Sequence, residues 1–343
     1  MPQLPLIPTT VIGSHGTPSW LFWAHEGVKQ GRFGPADIEE TLDDAVRLAI
    51  ADMENAGVDV ISDGEMRRVD FVVSFYDRIA NLEKIPYPRL FGFPGPDQLH
   101  AYVNRGRIGA GAGGFGLVDE LRFARRHTAK PLRIGIPGPV TLAFRIKAEE
   151  PYRSQLELAA DLVPVVRREA QALAAAGADS IQIDEPCFVI EQGGEHEFVR
   201  MFNECVEGVT APVCLHLCFG NFRGRPATSH RTYQPLAPFL EELQCRQVHL
   251  EFANRNMAEV DLWEKHGGGK ELVAGVVDVK GRSIETPEII AGRIRTVLAH
   301  CPKDKLWLAP DCGFSQTARW VAVEKLKAMV EAAAMVRQEL DGS

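Results

Sequence analysis

The stretch Val213-Cys214-Leu215-His216-Leu217-Cys218 decides how this chain is read. It has the length and apolar character of a buried β-strand. Side chains alternate faces along a strand, so His216 and Cys218, two apart, project to the same side. One imidazole and one thiol then converge on one point. They make a metal site only if further soft or anionic donors reach that point from neighbouring strands.

Working outward, similar short runs recur near Thr10-Ser14, Val58-Ser62, Leu132-Ile136, Ser180-Asp184, Gln247-Glu251, Leu272-Val277 and Lys305-Ala309. Amphipathic segments such as Ile38 to Asn55, Ser154 to Ala176 and Trp320 to Leu340 read as helices between or after them. Two junctions repeat one phrase, Ala56-Gly57-Val58-Asp59 and Ala176-Gly177-Ala178-Asp179, in which Gly closes a helix before the next strand. Eight strands alternating with helices predict an α/β protein, a single (β/α)8 TIM barrel formed by residues 1–343. The spacing leaves room for an insertion after the second strand, at about 83–130. It holds a Pro- and aromatic-rich stretch (Pro86 to Pro96) and a glycine-rich one (Gly106 to Gly116). Gly111-Ala112-Gly113-Gly114-Phe115-Gly116 lacks the spacing and the βαβ setting of a dinucleotide site, so a loop or hairpin covering the active-site mouth is expected.

The formal charge of −8 argues against a nucleic-acid or anionic-membrane surface and favours a small-molecule partner. The first ten residues have no basic segment followed by an apolar run, and no stretch is long enough to span a bilayer, so a cytoplasmic location is expected. The seven cysteines are odd in number and scattered, which in a reducing compartment points to metal or catalytic use of some of them.

A barrel of this kind carries its active site at the carboxyl ends of its strands. Polar residues stand there almost strand by strand: Ser14, Asp63-Gly64-Glu65, Gly138-Pro139-Val140-Thr141, Asp184-Glu185-Pro186, His216 and Cys218, Glu251, Asp278 and Lys280, and Asp311-Cys312-Gly313. His216, Cys218, Glu251 and Cys312 form a four-donor set of sulfur, nitrogen and carboxylate that suits Zn²⁺. Three anionic donors make the metal weakly electrophilic, better at delivering a thiolate than at activating water. The carboxylate is the natural ligand for an incoming thiol to replace.

These motifs, with Ile12-Gly13-Ser14 and Ile181-Gln182-Ile183-Asp184-Glu185-Pro186, resemble the catalytic barrel of the cobalamin-independent methionine synthases, in order, from about residue 9 to residue 340. The resemblance implies zinc-dependent methyl transfer to the thiol of homocysteine, with His216, Cys218, Glu251 and Cys312 as metal ligands. It further implies that Ser14 holds the amino-acid carboxylate and that Glu65 and Asp184 hold the α-amino group. Two departures bear on the donor. Phe144-Arg145 stands where that family has a folate-stacking tryptophan, and Asp278-Val279-Lys280 stands where the long enzymes have an Asp-x-His proton-transfer pair. Asp184, Asp278 and Lys280 are therefore the candidate catalytic groups, and Arg145 a candidate anion-binding one. The methyl donor is open between methyl-tetrahydrofolate, a methylated corrinoid protein and another methyl compound. The alternative is zinc-dependent alkyl transfer to a different thiol, as in the epoxyalkane:coenzyme M transferases. Glu65 and Asp184 favour an amino-acid thiol, because a sulfonate without an amine gains nothing from two carboxylates.

Overall fold

The computed structural model describes residues 3–68, 70–85, 101–191, 193–221, 224–315 and 317–342. The Pro- and aromatic-rich stretch from Pro86 to Pro96 lies outside them. Six parallel strands form one sheet in the order β3 (Arg133–Pro137), β5 (Ser180–Asp184), β6 (Val213–Leu217), β7 (Gln247–Glu251), β8 (Glu271–Val277) and β9 (Leu306–Pro310). Every residue of these strands is buried, as expected of a parallel sheet covered on both faces.

The two remaining expected strands are present as single parallel bridges and not as ladders: Thr9 with Leu308, Thr10 with Val60, and Ile61 with Leu132. Together they link β9 to β3, the two edges of the sheet. The segments are short because both turn early. Gly13 adopts φ 58°, and the Ser62 hydroxyl donates to the Gly13 carbonyl at 2.5 Å, so a side chain takes over where a ladder bond would run.

Helices fill the connections, among them α2 (Pro35–Asn55), α5 (Gln155–Ala175), α9 (Pro287–Leu298) and the closing α10 (Arg319–Asp341). Ser154 caps α5 and Thr286 caps α9 through their hydroxyls. The repeated phrase behaves identically at both sites. Gly57 (φ 85°) and Gly177 (φ 90°) adopt the left-handed conformation, and Val58 N and Ala178 N reach back to the Met53 and Leu173 carbonyls.

An antiparallel pair, β1 (Ile79–Ile85) with β2 (Ala101–Ala110), falls partly within residues 83–130, and β2 pairs in parallel with the two-residue β4 (Ile146–Lys147). Gly111–Gly116 then leads into α3 (Leu117–Arg125), where Glu169 of α5 accepts hydrogen bonds from Phe115 N and Leu117 N at 3.0 and 3.1 Å. Arg337 of α10 binds the Leu6 and Ile7 carbonyls and Asp59, tying the last helix to the first segment.

Candidate metal centre and substrate pocket

The parallel register of β5, β6 and β7 sets Asp184, His216 and His249 side by side. One residue beyond β6, Cys218 reaches toward Cys312, which follows β9, with their Sγ atoms 3.5 Å apart. Cys312 Sγ lies 3.9 Å from His216 Nε2. One ligand atom from each of His216, Cys218 and Cys312 falls within 4.8 Å of the others.

A hydrogen-bond chain prepares the imidazole. His249 Nε2 lies 2.9 Å from the Pro310 carbonyl, which only accepts, so this nitrogen carries the proton and His249 Nδ1 is an acceptor. His216 Nδ1, 2.7 Å from His249 Nδ1, must then donate, which leaves the His216 Nε2 lone pair directed at the thiols. Burial pushes His216 well below the ordinary imidazole range and takes His249 down to about 3, so both rings are neutral near pH 7. The hydrogen bond with Cys218 holds the Cys312 thiol below its usual range despite burial, with the Lys280 charge assisting. Two thiols and a neutral imidazole with a free lone pair suit a soft-donor metal ion.

Glu251 is fully buried, and in this structure its carboxylate is turned to other partners. Oε2 accepts from Lys280 Nζ at 2.7 Å and from Phe219 N at 3.2 Å, while Oε1 lies 3.9 Å from Arg231 Nη1. Burial works against the Lys280 ammonium, but the charges of Glu251, Cys312 and Cys218 outweigh it and raise its pKa. Asp278 anchors the same turn: its Oδ1 accepts from Lys280 N at 2.8 Å and from Asn254 Nδ2 at 3.0 Å.

A pocket of about 1040 Å³ joins this centre to the other expected residues. Ser14, Glu65, Asp184 and Arg145 line it together with His216, Cys218, Cys312 and Lys280, whereas Glu251 and Asp278 are not part of the lining. Glu65 and Asp184 converge: a Cβ placed on Gly135 would stand 3.0 Å from Glu65 Oε1 and 3.1 Å from Asp184 Oδ2. Burial raises Glu65 to about 7 against the pull of Arg68, and burial with the Glu65 charge pushes Asp184 well above the carboxylate range. Asp184 Oδ2 has no hydrogen-bond partner among the described residues, while Gln182 Nε2 donates to Oδ1 at 2.7 Å. Two buried carboxylates with an unsatisfied oxygen call for a cation. Ser14 Oγ accepts from Ser315 N at 3.2 Å, beside Gly313, the residue after Cys312.

Several organising residues carry no role in the sequence reading. Arg68 bridges Glu65 (2.7 Å) and Glu120 (3.3 Å). Glu185 faces away from Asp184 and accepts from Val140 N, Thr141 N and Thr141 Oγ1 at 3.0, 2.8 and 2.6 Å, clasping α4 (Pro139–Ala143). Asp311 does the same after β7, accepting from Phe252 N, Ala253 N and Asn254 N at 3.0, 2.9 and 2.7 Å. The signal for His249 was available, since it stands two before Glu251 on one strand, as His216 stands two before Cys218.

The sequence profile of the cobalamin-independent synthase catalytic domain matches residues 7–87 and 117–335. The chain belongs to the cobalamin-independent methionine synthase family. The unmatched interval between these blocks contains β2 and the glycine-rich segment. A methionine synthase of Saccharolobus solfataricus is 36% identical over 99% of this chain and 98% of that protein. One from Sulfurisphaera tokodaii is 35% identical over 99% and 95%. Among solved structures, the B12-independent methionine synthase from Shewanella sp. W3-18-1, in complex with selenomethionine, superposes with a TM-score of 0.85 at 26% identity, covering 99% of this chain and 100% of that one. A putative vitamin-B12-independent methionine synthase from Listeria monocytogenes shares the fold, with a TM-score of 0.73 at 20% identity. Among the described residues no helix is long and apolar enough to cross a membrane.

Proposed function

We propose that the chain is a zinc-dependent methyltransferase that converts homocysteine to methionine, built as a single (β/α)8 barrel with an insertion after its second strand. The bridges at Thr9, Thr10 and Ile61 support closure of the sheet into a barrel, and the hairpin of β1 and β2 supports the insertion. The observation that carries the functional reading is one pocket holding the His216, Cys218 and Cys312 donors at one point and the Glu65 and Asp184 carboxylates at another. A ligand with a thiol at one end and an ammonium at the other fits that pair of sites.

Zinc would be held by His216, Cys218 and Cys312, with Glu251 as the replaceable fourth ligand, and when bound it supplies a lowered thiol pKa, so that a thiolate is present near neutrality. Glu65 and Asp184 bind the α-ammonium, whose single charge joins that of Arg68 in balancing the two carboxylates and which fixes the amino acid's backbone. Ser14 and the adjacent backbone bind the carboxylate. The pocket thereby orients the sulfur toward a methyl group presented from the side of Phe144 and Arg145, and in-line attack forms the S–C bond as the donor's bond to methyl breaks. The departing group takes a proton from the Lys280 end of the Asp278–Lys280 turn or from a water. Methyl-tetrahydrofolate, a methylated corrinoid protein and other methyl compounds remain the donor candidates, with Arg145 available to an anionic group on any of them. The family relationship and the absence of a membrane-spanning helix among the described residues are consistent with a cytoplasmic enzyme.

The test is to measure zinc content and methionine formation with each donor class in the wild type and in Cys218→Ser and Cys312→Ser. Both variants are expected to lose zinc and thiol methylation together. Full activity in a metal-free variant would overturn the mechanism, and calorimetry showing no binding of homocysteine would turn the reading toward another thiol.

A further inference from the structure

The position of Glu251 raises a question that the four-ligand reading does not answer. A carboxylate displaced from a metal inside a protein must go somewhere, and an unpaired buried charge is costly. Here it has a destination. Lys280 and Glu251 side chains are 2% and 0% exposed, and their 2.7 Å contact forms within the wall of the pocket. The backbone that carries Lys280 is anchored, because Asp278 Oδ1 binds the Lys280 N–H and is itself held by Asn254. Phe219 N, one residue after Cys218, supplies the second hydrogen bond to the same Glu251 oxygen. The structure therefore holds one Glu251 oxygen, Oε2, in an alternative setting, while Oε1 has no hydrogen-bond partner among the described residues.

We propose that Lys280 is a positioning residue that competes with the metal for the Glu251 carboxylate, giving Glu251 a prepared ion-pair partner when the substrate thiol takes its place. This rests on the metal reading given above and adds to it a determinant of how readily the ligand exchanges. The exchange is balanced: one anionic ligand leaves for Lys280, one thiolate arrives, and the proton released by the thiol passes to solvent.

The competition predicts opposite effects on metal and thiol. Lys280→Met should bind zinc roughly tenfold more tightly, because Glu251 no longer leaves an ion pair to ligate, and should bind homocysteine roughly tenfold more weakly. Lys280→Arg, which keeps the charge, should restore both values toward wild type. Zinc affinity is read by competition with a chromophoric chelator, without any thiol present. Homocysteine binding is followed by the absorption of the cobalt-substituted protein. In a Glu251→Gln background, Lys280→Met should leave zinc affinity unchanged.

Unchanged or weakened zinc binding in Lys280→Met, or the same tightening in the Glu251→Gln background, would overturn the proposal. A wild type that binds no zinc would overturn it together with the reading beneath it. Tighter zinc in Lys280→Met, with no homocysteine response in either protein, would uphold the competition and overturn homocysteine as the thiol.

Discussion

His216 and His249 meet Nδ1 to Nδ1 at 2.7 Å, and the Pro310 carbonyl at the far side of His249 decides which of them donates. The lone pair offered by His216 is thus set two residues away from it in space, by a backbone carbonyl of β9. His249→Phe keeps the bulk of the ring and removes the acceptor. Zinc affinity is expected to fall by about 10–100-fold, the usual cost of losing a partner of a metal-bound histidine. A chelator competition assay checks this, and the fold should persist, since a ring of similar size still fills the site.

The amine pocket should titrate. Glu65 is raised to about 7 from 4.5, so below that pH a proton must leave before the α-ammonium binds. Methionine is the useful probe because its thioether does not ionise. Its affinity is expected to drop about tenfold between pH 8 and pH 6 and to show proton release in calorimetry below pH 7. Glu65→Gln should flatten the dependence. For the unliganded protein the sign is opposite. The folded state binds a proton that the unfolded state does not between pH 4.5 and about 7, so the Glu65 contribution to stability falls as pH rises through that window.

Arg68 is the counter-charge to Glu65 and Glu120, with Asp63 and Asp184 also nearby. Arg68→Met leaves these carboxylates without a buried cation and should cost about 3–5 kcal/mol in denaturant unfolding near neutral pH. It should also move the methionine-binding midpoint alkaline. A variant as stable as the wild type, with an unmoved midpoint, would show that Glu65 does not depend on Arg68.

The Glu185 clasp can be broken from either side. Glu185→Ala leaves two N–H groups and the Thr141 hydroxyl unpaired, at about 2–4 kcal/mol. Gly138→Ala puts a Cβ 2.2 Å from Glu185 Oε1 and should be similarly destabilising. Denaturant midpoints measure both, and Glu185→Gln, which keeps an acceptor, should lose less.

The sequence revealed what strand alternation controls and missed what side-chain conformation controls. His216 with Cys218 was legible because two residues apart on a strand share a face. The opposite facing of Asp184 and Glu185 follows from the same rule applied to neighbours, yet the partner of Glu185, the amides of α4, depends on how two loops pack. Glu251 ends β7 and Lys280 lies in the turn after the adjacent β8, and no periodicity tells which rotamer joins an ammonium to a carboxylate. The first two strands looked like the rest in their β-branched residues. Gly13 (φ 58°) turns the backbone after the first and Gly64 (φ 71°) after the second, next to Ser14 and Glu65 of the pocket.

The attachment of α10 to the first segment through Arg337 has a consequence for biosynthesis. Thr9 pairs with Leu308, Ser14 Oγ with Ser315 N, and Cys218 with Cys312, 94 residues later. While the chain is being made from its amino end, Ser14 and Glu65 emerge early but meet no partner from β9 until that strand leaves the ribosome. His216 and Cys218 likewise wait for their third donor. The three converging donors therefore come together only once β9 is made, and a nascent chain arrested before it carries His216 and Cys218 at the end of the interior strand β6 without Cys312.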